Sequence, residues 1–240
     1  MRTLCIDVGA TEVKTLVVDG AGRAVSPRVR LDTPRPATPS TLLATLAAGS
    51  AAAGDFDRVS VGFPGVVVGG VVHTAPNLDG DWAGFPLATE LRHTLHRPVR
   101  IANDAGVQGL GVIEGIGTEI VLTFGTGMGF ALFLDGAYVP NIELAHHPFG
   151  KGDKTYEERV SEPARRKIGM RRWRRRVQQV IDQITPIFNP RRIYVGGGNA
   201  RLLDPTSFPE HVRIVDNVAG LLGGVRLWEP PERQPSIADA

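Results

Sequence analysis

Only one cysteine, Cys5, occurs in 240 residues. A lone thiol excludes a disulfide scaffold and any multi-thiolate zinc site, and it fits the reducing cytoplasm. No run of 18 or more apolar residues is present, so no transmembrane helix is expected. The opening residues Met1 to Asp7 lack the long apolar stretch of a signal peptide and start a strand almost at once. Neither a leader nor an N-terminal DNA-binding module is therefore expected. Aromatic residues make up 6%, which leaves few platforms for stacking nucleic-acid bases. The P-loop sequence G-x-x-x-x-G-K-[ST] is missing, as are G-x-S-x-G and H-E-x-x-H. Those absences disfavour a P-loop fold, a nucleophile elbow and a zincin helix.

What is present suits a large folded unit or two lobes. Apolar residues make up 42%, enough for a sizeable core. The 29 Gly and 18 Pro make the chain rich in turns without a G-X-Y period. The net charge of +2 hides an uneven distribution: Lys151 to Arg176 holds 11 basic and 4 acidic residues, and the remainder holds 16 basic and 21 acidic. A local basic patch thus matters more than the overall balance.

Buried-strand patterns occur at 3–8, 13–19 and 24–31, separated by glycine turns that suggest antiparallel hairpins. A Pro-rich connection leads to a helix at 40–53, strand 57–62 and the turn at 63–65. Strand 99–103 and a helix from Asp104 to about Glu114 follow. The opening pattern then recurs: strand 119–124, Gly125-Thr126-Gly127-Met128-Gly129, strand 130–135. The recurrence, about 115 residues on, suggests an internal duplication. A helix is expected at 153–168. Another at 171–188 carries Trp173, Val177, Val180, Ile181, Ile184 and Phe188 at helical spacing, with Pro186 kinking or ending it early. Strand 192–195, the turn Gly196-Gly197-Gly198 before a helix, strand 212–215 and a helix at 218–227 complete the pattern. The expected lobes are 1–115, completed by 218–228, and 116–217. Residues 229–240 form a loose tail.

Six constellations invite chemistry. Asp7 ends a strand, where a carboxylate can orient magnesium through water. Gly9 lets backbone approach phosphate oxygens, and Thr11 adds a hydroxyl. The bland alternative is an ordinary hairpin. Gly125, Thr126 and Gly127 form a turn whose amides can cradle an anion, or merely a mobile hairpin tip. Gly197 and Gly198 suit close approach of a flat or phosphorylated ligand, or form a simple tight turn. At the next junction, Asp104 is a helix N-cap or a base for an attacking alcohol, and Asn103 can hold a neighbouring hydroxyl. Glu143, His146 and Glu157 suit several sugar hydroxyls, or belong to a solvated loop; His147 should point elsewhere. The arginine run at 165–176 is a solvated helix face or a polyanion track.

Together these segments resemble the ROK family of sugar kinases and sugar-sensing repressors, with the closest likeness to its polyphosphate glucokinase branch. Asp7-Val-Gly-Ala-Thr-Glu-Val-Lys14 is similar to the family's first phosphate motif, and Leu122-Thr-Phe-Gly-Thr-Gly-Met-Gly129 to its second. Asn103-Asp-Ala-Gly-Val-Gln-Gly-Leu-Gly111 resembles the segment holding the catalytic aspartate. Val139-Pro-Asn-Ile-Glu-Leu-Ala-His146 resembles the E-x-G-H sugar motif, and Glu157-Glu-Arg-Val-Ser161 the E-x-x-x-S segment. Gly62-Phe-Pro-Gly-Val-Val and Ala75-Pro-Asn-Leu-Asp-Gly-Asp-Trp82 complete the likeness.

The resemblance implies an α/β protein of the actin-like ATPase (ribonuclease H-like) fold, two lobes with a cleft between them. It implies a cytoplasmic, magnesium-dependent glucokinase, a homodimer, phosphorylating the 6-hydroxyl of glucose from polyphosphate or ATP. Asp104 is then the general base, and Asn103, Glu143, His146, Glu157, Gly65 and Asn77 line the sugar. Asp7, Gly9, Thr11, Lys14, Gly125, Thr126 and Gly127 surround the transferable phosphate and the magnesium, which Asp7 holds through water. Gly197 and Gly198 resemble the adenosine segment. The family's cysteine-rich zinc motif is missing, so no zinc site is expected. Ala10 and Ala145 stand where members carry glycine, and a methyl at 145 bears on His146. The competing readings are a non-catalytic sugar sensor, a kinase for mannose or an N-acylhexosamine, and a nucleic-acid binder. The motif set argues against the last, and neither nucleic acid nor membrane is an expected partner.

Overall fold

The computed structural model describes residues 1–215 and 218–229, and the tail expected to be loose lies almost wholly outside them. The chain divides into two compact units. One runs from Met1 to Gly111 and takes in the C-terminal helix up to Trp228; the other starts at Val112.

The first unit is built on strands β1 (Thr3–Val8), β2 (Glu12–Val18), β3 (Val29–Asp32), β4 (Arg58–Phe63) and β7 (Val99–Asn103). A short hairpin, β5 (Val67–Val68) and β6 (Val71–Val72), stands apart from that sheet. Sheet order is β3-β2-β1-β4-β7. β1 pairs antiparallel with β2 and parallel with β4, and β4 pairs parallel with β7. β1 and β4 are apolar on both faces because helices cover both. On one face lie α1 (Pro39–Ala53) and α2 (Leu87–Leu95), burying Leu42, Leu46, Leu87 and Leu91 against Leu4, Ile6, Val59 and Val61. Thr38 and Thr41 form a capping box that starts α1, with Pro39 in its first turn. On the other face lie α3 (Asp104–Leu110) and α7 (Val218–Arg226). A Cβ at Gly223 would sit 1.9 Å from Val107 O, and one at Gly224 2.5 Å from Cys5 Sγ. The Gly223-Gly224 pair thus lets α7 lie directly on α3 and β1. Burial pushes the Cys5 thiol up to about 12, so it behaves as an inert core group. Trp228 locks this helix down: its Nε1 donates to Ser60 Oγ at 2.8 Å, and Arg58 and Arg100 stack on its ring.

The second unit repeats the plan. Its strands β8 (Thr118–Phe124), β9 (Met128–Leu134), β10 (Ala137–Val139), β11 (Arg192–Gly196) and β12 (Val212–Ile214) stand in the order β10-β9-β8-β11-β12. Three helices precede β11: α4 (Tyr156–Val160), α5 (Glu162–Ile168) and α6 (Met170–Phe188). α6 lays Trp173, Val177, Val180, Ile181 and Ile184 into the core against Ile120, Leu122, Phe124 and Val195. Each such aliphatic side chain stabilises the fold by about 1.5–3 kcal/mol. Buried Glu119 holds the segment that enters this unit, accepting from the backbone N–H groups of Glu114, Gly115 and Ile116 and from Tyr194 Oη.

Several expected boundaries move. The third strand begins at Val29, not 24, because Pro27 interrupts the ladder; Ala24 keeps one bridge to Val18. α3 stops at Leu110, and the Glu114 N–H goes to Glu119 instead of continuing the helix. The single helix expected at 153–168 is two. Pro163 has no N–H for the Arg159 carbonyl, so the ladder breaks at Ser161 and restarts. The two carbonyls stranded at the break are used: Arg159 O accepts from Arg176 and Val160 O from Trp173 Nε1. Pro186 neither ends nor shortens α6; it sits in the last turn, where one bond is lost and Asn189 caps in the left-handed region. The turn at 196–198 leads to a 3₁₀ turn at Ala200–Leu202 rather than an α-helix. α2, β10 and the β5–β6 hairpin are not foreseen by the sequence pattern.

Candidate active site

In the first unit the site residues gather at the ends of β1, β4 and β7. Asp7 faces Lys14 across the β1–β2 ladder, with Lys14 Nζ 3.4 Å from its Oδ2. Asp104 opens α3, and Asp7 and Asp104 line one small cleft together with Gly62 and Gln108. A Cβ at residue 62 would come 3.2 Å from the Asp104 Cα, so glycine in β4 lets α3 start this close. The N-cap is Asn103, not Asp104: Asn103 Oδ1 accepts from Ala105 N and Gly106 N. Relieved of capping, the Asp104 carboxylate bonds its own neighbour, Ala105 N, at 2.8 Å. Asn103 Nδ2 reaches Gly65 O at 3.4 Å. Gly65 is required by crowding, since a Cβ would lie 2.0 Å from Thr74 O. Asn77 lies in the loop behind it, which buried Trp82 fixes by donating to Ala37 O and Asp79 O.

The turn at 9–11 is fixed by its carbonyls. Gly9 O accepts from Thr33 Oγ1 at 2.7 Å, Ala10 O from Arg35 at 2.9 Å and Thr11 O from Thr33 N at 3.0 Å. Gly9 N–H closes the turn on Glu12 O. Three consecutive carbonyls pinned to one segment settle which way the turn presents its peptide dipoles.

In the second unit, the turn at 125–127 closes through Gly125 N–H to Gly127 O at 3.0 Å. Met128 N–H donates to Glu157 Oε2 at 3.0 Å, and Gly125 O accepts from Glu162 N–H at 2.8 Å. Glu157 is positioned by α4, which Thr155 and Glu158 start with a capping box. Glu143 and His146 stand 3.5 Å apart on a 3₁₀ turn. Burial pushes the Glu143 carboxyl up, His146 opposes that, and Glu157 adds to it. All three residues and the turn therefore share one neighbourhood. His147 turns away, its ring against Pro148 O. The Ala145 methyl is buried in the core, away from the exposed His146 ring. Gly197, in the left-handed region, leaves no space for a Cβ, which would lie 2.4 Å from Phe124 O. At Gly125 and Gly198 a Cβ would meet nothing within 4 Å.

Among the described residues no group of three or more His, Cys, Asp or Glu is arranged to hold a metal, and no helix is long and apolar enough to cross a membrane. The Asp7 carboxylate on this cleft suits magnesium, which keeps most of its waters and takes the rest of its oxygens from phosphates. Sequence reading missed Gln108, Thr33 and Arg35. Gln108 carries a signal, four residues after Asp104 on one helix face; Thr33 and Arg35 reach the turn only through the fold.

The family model described as ROK family matches residues 3–140. The chain belongs to the ROK family. A polyphosphate glucokinase of Mycobacterium tuberculosis (strain CDC 1551 / Oshkosh) is 33% identical over 91% of this chain and 88% of its own. That of Mycobacterium leprae (strain TN) is 33% identical over 92% of this chain and 73% of its own. The crystal structure of an inorganic polyphosphate/ATP-glucomannokinase from Arthrobacter sp. strain KM superposes with a TM-score of 0.84 at 31% identity, covering 94% of this chain and 97% of that one. The two mixed α/β units are those of the actin-like ATPase fold found in ROK kinases.

Proposed function

We propose that this hexose kinase transfers a phosphoryl group from inorganic polyphosphate or ATP to the 6-hydroxyl of glucose, with Asp104 as general base. One observation carries the reading: two carboxylates, Asp7 and Asp104, open into one cleft at the ends of adjacent elements. Phosphoryl transfer to an alcohol needs two such groups, one to take the proton and one on the metal-phosphate side. Asp104, released from capping, takes the hydroxyl proton. Asn103 has its oxygen committed to the helix, so its amide hydrogens serve the sugar and Gly65. Glu157 keeps Oε1 for a hydroxyl while Oε2 holds Met128 N–H. Glu143 and His146 take further hydroxyls, and Gly65 and Asn77 of the first unit are assigned to the sugar from the family likeness. In the first unit the amide and hydroxyl of Thr11, with Gly9, are assigned to phosphate and Lys14 offsets charge beside Asp7; in the second unit Gly125, Thr126 and Gly127 are assigned to phosphate. Asp7 would hold magnesium through water, and the metal supplies charge neutralisation on the donor phosphates. Gly197 and Gly198 are assigned to the ATP adenosine.

The 33% identity to polyphosphate glucokinases supports glucose and polyphosphate, and the glucomannokinase neighbour favours mannose as a second substrate. A cytoplasmic homodimer is carried over from the family. The test sets glucose, mannose and N-acetylmannosamine against ATP and long-chain polyphosphate, with and without magnesium. Magnesium-dependent formation of glucose 6-phosphate from polyphosphate is expected. Glucose binding without transfer from either donor would leave a sugar sensor instead.

A further inference from the structure

The basic run is two different things. Arg165 and Arg166 are both spent on Glu162, at 2.5–2.8 Å, and they hold its carboxyl down to about 2. The other guanidiniums have no such partner. Arg176 donates to Arg159 O at 3.2 Å, and Arg159 in turn reaches Lys151 O. Arg159 Nε is buried and makes no hydrogen bond. Arg172 is one helical turn before Arg176, and exposed Arg175 adjoins it. Burial and the charges of Arg159, Arg172 and Arg175 all push Arg176 down. Among the described residues no carboxylate forms an ion pair with any of the four.

Four like charges held together, one with an unsatisfied buried N–H, are destabilising until an anion joins them. Their placement says which anion. α4 carries Glu157, which holds the turn at 125–127 through Met128, and Arg159 only two residues on; Glu162 N–H ties the start of α5 to the same turn. The short helix α4 thus carries both the anchor of the turn and Arg159, whose carbonyl holds Arg176 of α6. The neighbouring rings, Trp173, Tyr156 and Phe149, are all buried in the core and offer no base a stacking face.

We propose that Arg159, Arg172, Arg175 and Arg176 dock the distal residues of an inorganic polyphosphate chain whose terminal phosphate lies at Gly125–Gly127. This rests on the polyphosphate-donor reading above. The site serves long chains only; a nucleotide ends before reaching it.

The test uses the double variant R172Q/R175Q, on exposed positions of α6, beside R172K/R175K. Binding of chains of several hundred phosphates and of tripolyphosphate is titrated across a salt series. KM for polyphosphate, ATP and glucose is measured in parallel. The glutamine variant should weaken long-chain binding and raise its KM by about tenfold or more, and flatten the salt slope by roughly 1.5–2. Tripolyphosphate affinity and ATP kinetics should stay within about twofold, and lysine should restore most of the loss. Unchanged long-chain affinity and slope, an equal loss with ATP, or single-stranded RNA bound as tightly as polyphosphate through the same arginines would each overturn the site. If polyphosphate binds through these arginines yet donates nothing to glucose, the donor reading falls and the site stands. If it donates but binds the variant normally, the reverse holds.

Discussion

The turns at 9–11 and 125–127 follow the first strand of two sheets with the same strand order, and each spends one amide on closing itself. Beyond that they are held differently. The first is pinned by its carbonyls, through Thr33 and Arg35. The second is pinned through an amide and a carbonyl by α4 and α5, with Glu157 as the anchor. The first is thus set from outside the proposed sugar residues, the second by Glu157, which is proposed as one of them. On the same strand order the two units carry different polar groups: in the first a helix begins on Asp104 beside Asp7, and in the second the polar residues belong to loops and short helices. If that division is right, the first unit governs the chemical step and the phosphate end of the donor, and the second governs affinity through Glu143, His146 and Glu157.

The largest effect should come from Asp104. Asp104→Asn keeps the shape and the contact to Ala105 but cannot take a proton. We expect kcat to fall about 10²–10⁴-fold, with KM for glucose nearly unchanged and the melting curve retained. Near-normal turnover in a coupled assay would remove the chemical step from the first unit.

An intermediate effect should come from Glu143 and should fall on affinity. Burial raises its carboxyl above the ordinary range. The sign follows: ionised Glu143 costs stability in the free protein, and hydroxyl donors from a sugar relieve it. The ionised form accepts those donors more strongly than the acid, so KM for glucose should begin to climb on acidification at a higher pH than an ordinary glutamate gives. Glu143→Gln should raise that KM about 10–100-fold, as for loss of one or two charge-assisted hydrogen bonds, and abolish this limb of the pH profile. A loss confined to kcat would contradict the division.

Much of this was legible in the residues, for identifiable reasons. Glycine marks the crowded turns because no Cβ fits there, at Gly9 against Glu12 O, at Gly65 against Thr74 O and at Gly197 against Phe124 O, whereas Gly125 meets no such crowding. The pairing of Asn103 with Asp104 was visible, but which one caps depends on geometry: Asn103 in extended backbone reaches Ala105 and Gly106. α2 was hidden because its mixed composition, Leu-Ala-Thr-Glu-Leu-Arg-His-Thr-Leu, shows a stripe only three residues strong, Leu87, Ala88 and Leu91. The division of 153–168 at Ser161 could be read from Pro163. The use of the stranded carbonyls by Arg176 and Trp173 could not, because those partners arrive from another helix.

The smallest effect should come from Arg35, and it separates pinning from charge. Its guanidinium joins Ala10 O to Asp79, the latter loosely at 3.8 Å, and it is largely exposed. An exposed contact of this kind contributes about 0–1 kcal/mol. The fold should therefore tolerate Arg35→Ala with little change in melting. The turn would lose one of three carbonyl restraints, and its amides would be less well ordered for an anion. KM for both donors should rise about 3–5-fold, equally for ATP and polyphosphate, because the turn meets the transferred phosphate and not the rest of the donor. Arg35→Lys should rescue only partly, since an ammonium cannot span Ala10 O and Asp79 as a planar fork does. A rise confined to polyphosphate would instead make Arg35 a direct contact to the chain, and the first turn would then be held by Thr33 alone.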